Sequence, residues 1–106
     1  VMGRAEGAQQ RALGDRRRHL EGAAEASYMG GRHEQARRIY AEAYRRGHRS
    51  PSMCVNMANL AVRAGEQAAA LGFLEECLAL GGLGEEKDAV VRGNIEALRR
   101  ALSEAE

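Results

Sequence analysis

The sequence predicts an all-α fold of about five helices, and three observations carry that reading. First, 20 of the 106 residues are Ala, only five are Val and four are aromatic. Small residues let helices approach closely, whereas sheets favour β-branched and aromatic side chains. Second, a single proline, Pro51, interrupts the chain. Third, a shift of 34 residues lays one half of the sequence on the other without a gap: Ala24 on Ala58, Ser27 on Ala61, Tyr28 on Val62, Gly31 on Gly65, Ala36 on Ala70, Tyr40 on Leu74, Ala43 on Cys77 and Tyr44 on Leu78. Small residues meet small ones, large meet large, and 34 is the period of a helix–turn–helix unit.

Taken in order, the elements follow from apolar spacing and punctuation. Residues 1–16 have weak helical spacing at Ala5, Ala8, Ala12 and Leu13. Gly3, Gly7 and Gly14 each cost about 1 kcal/mol against Ala in a helix, which predicts a frayed helix or tail. Leu20, Ala23, Ala24, Ser27 and Tyr28 form one stripe at i, i+3, i+4, i+7 and i+8. After Gly30-Gly31 the stripe resumes at Ala36, Ile39, Tyr40, Ala43 and Tyr44. Ser50-Pro51 is a start signal, a hydroxyl N-cap followed by proline in the first turn. Met53, Met57, Leu60, Ala61 and Ala64 carry the next helix to Gly65, and Ala70, Leu71, Leu74, Cys77 and Leu78 carry the fourth to Gly81-Gly82. The last helix opens on the acids Glu85, Glu86 and Asp88 and has a narrow seam of Val91, Ile95, Leu98 and Leu102, the look of a cap on a stacked array. The resulting organisation is a tail over 1–16, repeats over 17–50 and 51–84, and a capping helix over 85–106.

Several classes are excluded by composition. No apolar run approaches the roughly 20 residues that span a bilayer. No charged-then-apolar leader opens the chain, which says little about where the parent protein works; the setting is open, with a cytoplasmic one favoured. The opening Val1-Met2 reads as an expression scar or a piece cut from a longer protein. Cys54 and Cys77 are too few for a disulfide framework or a zinc site, and their repeat positions predict packing residues at a helix-pair interface. Residues 1–53 hold 11 Arg against six acids, net +5, while 54–106 hold five basic residues against nine acids, net −4. Fifteen of the 16 basic residues are Arg, a bias that GC-rich coding explains.

At this point the residues resemble a known family. The two blocks are similar to tetratricopeptide repeats (TPRs): Ala24, Gly31, Ala36, Tyr40 and Ala43 occupy signature sites in the first, and Ala58, Gly65, Ala70, Leu74 and Cys77 in the second. The segment VNMANLAV over 55–62 also resembles the family's common first helix. Ser27 and Cys77 depart from the signature, and His48 and Gly82 replace the usual closing proline. The related Sel1-like repeat has longer units, so the ungapped 34-residue match argues against it. The pattern further resembles short TPR segments appended to bacterial signalling and envelope proteins. The resemblance implies a right-handed solenoid of antiparallel helix pairs whose first helices line a concave groove. It places Arg18, Glu21, Glu25 and Tyr28 on the first wall and Ser52, Val55, Asn56, Asn59, Val62 and Arg63 on the second. The capping helix offers Glu86, Ala89, Val90 and Gly93.

No catalytic constellation accompanies these features, and no enzyme, metal or cofactor is expected. His33-Glu34 opens like a zinc-protease helix, but Arg37 stands where the second His is required. His19 and His48 read, with His33, as solvated residues near helix ends. There is no phosphate loop, and Ser27, Ser50, Ser52 and Ser103 have no partner base at useful spacing. The amides are the better candidates. Asn is a poor helix-interior residue, and an amide can hold a peptide backbone without reading side chains. The alternative for Asn59 is an internal bridge between neighbouring helices.

The function expected is therefore a protein–protein interaction module that takes a peptide or helical segment of micromolar affinity. With Glu21, Glu86 and Val90 where chaperone-tail binders place cations, a terminal carboxylate is disfavoured and a neutral, partly apolar or basic segment is expected. Three readings stand beside it. One is homo-oligomeric assembly through the basic and acidic ends. Another is nucleic-acid binding through Arg16–Arg18 and Arg37, Arg38, Arg45, Arg46 and Arg49. That reading is weakened by interleaved Glu34 and Glu42 and by the lack of a stacking platform. The third is a spacer beside a catalytic domain.

Overall fold

A computed structural model describes Arg16 and residues 18–105. The stretch 1–15 expected to fray, and Arg17 of the Arg16–Arg18 run, lie outside the described residues. Among the described residues there are five α-helices and no strand: 18–29 (α1), His33–Arg45 (α2), Pro51–Arg63 (α3), Gln67–Leu80 (α4) and Glu85–Glu104 (α5). The chain divides into two compact units, Val1–His48 and Arg49–Glu106.

In the first unit, Ala24 and Ser27 of α1 and Ala36, Tyr40 and Ala43 of α2 are buried. Four of these five are small, and Tyr40 supplies the bulk. The α1 helix ends where Gly31 takes a positive φ of 79°. There the Gly31 amide donates to the Tyr28 carbonyl at 3.1 Å and the Arg32 amide to Ser27 at 2.9 Å. This pair of bonds is the Schellman closure, which satisfies carbonyls the helix leaves orphaned. Gly47 closes α2 in the same way, its amide donating to Tyr44 and the His48 amide to Ala43, both at 3.0 Å. The loop past α2 is then tied back to α1 by a 3.1 Å contact between His48 Nε2 and Glu21 Oε1.

In the second unit, α3 starts as its sequence requires. Ser50 is extended at φ −134°, its Oγ accepts from the Met53 amide at 3.1 Å, and Pro51 occupies the first turn. The Gly65 closure repeats that at Gly31, with Gly65 donating to Val62 at 3.0 Å and Glu66 to Ala61 at 2.8 Å. Even the following residues match: Arg32 has φ −86°, ψ 71° and Glu66 φ −93°, ψ 69°. The helix α4 packs against both α3 and α5. Cys54 and Ala58 of α3, Leu74 and Cys77 of α4, and Val91 and Ile95 of α5 form the buried core. Val55, Leu71, Phe73, Leu78, Leu83 and Leu98 pack around it, half-buried.

The 34-residue correspondence reappears as burial. Ala24/Ala58, Ser27/Ala61, Ala36/Ala70, Tyr40/Leu74 and Ala43/Cys77 are buried in both members of every pair. The two cysteines are buried and not joined in a disulfide, as packing residues should be. Cys77 donates its thiol proton to the Pro51 carbonyl at 3.5 Å, which links α4 to the first turn of α3.

A candidate peptide groove between two helices

The second unit has one face on which α3 and α5 stand apart over α4. Ser52, Val55 and Asn56 project from α3, separated by three and four positions and so sharing one helical face. Lys87, Val90 and Val91 project from α5, and Leu83 joins the lining from the connecting segment. Together they enclose an open groove of about 300 Å³, at the small end of the range of ligand pockets. Its floor is the edge of the core: Val91 is buried, while Val55 and Leu83 pack against the core cluster. The groove is therefore positioned by the same contacts that hold the unit together. Val90 is 62 % exposed, an aliphatic side chain left in water on the α5 rim.

Of the residues the sequence assigns to the second wall, Ser52, Val55 and Asn56 are brought to this groove. Asn59 is exposed on the same face of α3 one turn on, and Val62 and Arg63 are exposed at the end of that helix. In the capping helix Val90 lines the groove, whereas Glu86, Ala89 and Gly93 are exposed and do not. Sequence reasoning missed Leu83 and Lys87, and read Val91 only as part of the apolar seam. The signal for Lys87 was present in its i, i+3, i+4 relation to Val90 and Val91. Leu83 lies between glycines, where no periodicity applies.

The residues assigned to the first wall are differently engaged. Arg18 and Glu25 are exposed. Glu21 is half-buried against His48. Tyr28 is half-buried, its ring edge-on to His33 with centroids 5.9 Å apart and planes at 80°. His48 and His33 thus have side-chain partners within their unit, whereas His19 is exposed.

Four of the described arginines, Arg45, Arg46, Arg49 and Arg99, lie against carboxylates. Glu42 accepts from Arg45 Nη2, and from Arg46 Nε at 2.8 Å. Those hydrogen bonds, Arg45 first, hold its carboxyl below the ordinary range. Arg49 Nε donates to Glu76 at 2.9 Å, and Arg99 lies 3.9 Å from Glu75. A shallow concavity of the first unit gathers Arg16, His19 and Arg46 around Leu20, but Arg46 is the residue already bound to Glu42. No group of three or more His, Cys, Asp or Glu among the described residues is placed to hold a metal ion. No helix among them is long and apolar enough to cross a membrane.

No family model, curated protein or solved structure matches this chain.

Proposed function

We propose that the chain is a TPR-like array of two helix pairs and a capping helix, and that it acts as a protein–protein interaction module. The groove between α3 and α5 is the observation that carries this reading. It is aliphatic at its floor and rim through Val55, Leu83, Val90 and Val91, and polar on one wall through Ser52 and Asn56. Such a surface takes apolar side chains of an incoming segment while the hydroxyl and amide meet its backbone. The walls are helices fixed by core contacts, so little ordering is needed on the receptor side. The matching closures at Gly31 and Gly65 and the paired burial in the two blocks support the repeat assignment. In this reading the solenoid is right-handed, and the chain recognises partners without carrying out chemistry.

Affinity capture from lysate, with and without nuclease, tests it by comparing the wild type with Asn56→Ala and Val90→Gln. Both changes alter the groove outside the fully buried core. The expected result is a protein held by the wild type, lost by both variants and indifferent to nuclease. Retention by both variants, or capture that vanishes with nuclease, overturns the groove reading.

A further inference from the structure

Lys87 is the only lysine in the chain and the only charged residue lining the α3/α5 groove. It forms no salt bridge among the described residues, in contrast to Arg45, Arg46 and Arg49. Around it the lining is aliphatic or neutral. A basic segment laid here would meet like charge, and a wholly neutral one would gain nothing from the ammonium. The acids of the same turn set a second limit. Glu85 and Glu86 are exposed beside Lys87, and Asp88 follows it with one carboxylate oxygen buried and unpartnered. Residues one and two positions apart on a helix face different ways, so the one ammonium in the groove answers a single incoming acid, while the exposed Glu85 and Glu86 outside it repel an acid-rich tail.

We infer that the groove selects an internal peptide segment in which one Asp or Glu stands among aliphatic side chains, with the carboxylate on Lys87 and the aliphatic groups on Val55, Leu83, Val90 and Val91. This rests on the peptide-groove reading and reverses the expectation of a neutral or basic segment. That expectation placed Glu86 on the wall, and Glu86 does not line the groove.

The probe is a random 12-residue peptide library displayed on phage and selected on the full chain. Enriched sequences are resynthesised with acetylated and amidated ends, so that no terminal carboxylate contributes. Each binder is titrated by fluorescence anisotropy against the wild type, Lys87→Glu and Val90→Gln. Lys87 and Val90 are exposed, and circular dichroism verifies that each variant keeps its fold. The expected result is enrichment of one Asp or Glu flanked by Leu, Ile or Val. Binding should weaken about tenfold in Lys87→Glu and recover when the peptide's acid is changed to Lys. Peptides that need Val90 but are neutral or basic, or that ignore Lys87→Glu, overturn the acidic specificity and leave the groove standing. Peptides indifferent to Val90→Gln, or no enrichment at all, overturn both.

Discussion

Tyr40 is the one bulky side chain among the five buried residues in the described part of the first unit, and it is 1 % exposed. Truncation to Ala removes a ring that Ala24, Ala36 and Ala43 are too small to replace, so Tyr40→Ala should destabilise by about 3–5 kcal/mol in urea unfolding. A loss under about 0.5 kcal/mol would mean that the ring is not a packing element. Cys77 poses a different test at the same scale. Burial first, and the charge of Asp88 second, push its thiol above the ordinary value of 9.0. A raised folded-state value means that the native state keeps a proton the unfolded chain gives up. Its stabilising contribution is complete below 9.0 and is lost as pH rises through the higher folded value. The stability of the wild type should therefore fall with alkaline pH more steeply than that of Cys77→Ala. Equal slopes for the two proteins would remove Cys77 as the cause.

At the scale of elements, the turns carry the sharpest constraints. Gly81 has φ 72° and ψ −176°, and Gly84 has φ 94° and ψ 163°, both in a region that is essentially closed to residues with a Cβ. Gly81→Ala should cost about 1–3 kcal/mol. The control is Gly72→Ala, inside α4 where an added Cβ meets nothing within 4 Å, which should instead stabilise by about 0.5–1 kcal/mol. Thermal melts of the two variants moving in the same direction would refute the assignment of strain to the joint. These elements were legible in advance because period and punctuation are local: Ser50-Pro51 specifies a cap whatever surrounds it, and the stripe ending at Tyr28 points to Gly31. The Gly47 closure went unread because only Gly30-Gly31, Gly65 and Gly81-Gly82 were weighed as stops. The groove was half legible for a related reason. The resemblance to tetratricopeptide repeats named Ser52, Val55 and Asn56 together, and their spacing puts all three on one helical face. The register in which α5 approaches α3 is set by tertiary packing of Val91 and Ile95 on α4, and no local pattern reports it. Hence Glu86 was assigned to the wall and Lys87, one position on, was not.

At the scale of the molecule, the described residues of the two units differ in how much apolar surface they bury internally. The second has three helices around Cys54, Ala58, Leu74, Cys77, Val91 and Ile95, with six half-buried hydrophobics packed on them. Among its described residues the first has two helices whose buried set is four small residues and one tyrosine, with Leu20, Tyr28, Ile39 and Tyr44 half-buried. Hydrophobic stabilisation scales with apolar area removed from water, at roughly 25 cal/mol per Å², so intrinsic stability should be graded along the chain. In a repeat array, total stability is a sum of such intrinsic terms and nearest-neighbour terms, and local opening follows the weakest unit. Amide hydrogen exchange should then show lower protection in α1 and α2 than in α3 and α4. Tyr40→Ala should deepen the contrast, lowering protection over 18–45 more than over 51–80. Protection that falls equally in both units would mean that the chain opens as one cooperative body, and graded repeats would no longer describe it. Faster exchange in α3 and α4 than in α1 and α2 would contradict the area argument outright. It would also place the groove of Val55, Asn56, Lys87 and Val90 in the less stable unit, where its walls would have to be ordered on binding and the preorganised-receptor argument would fail.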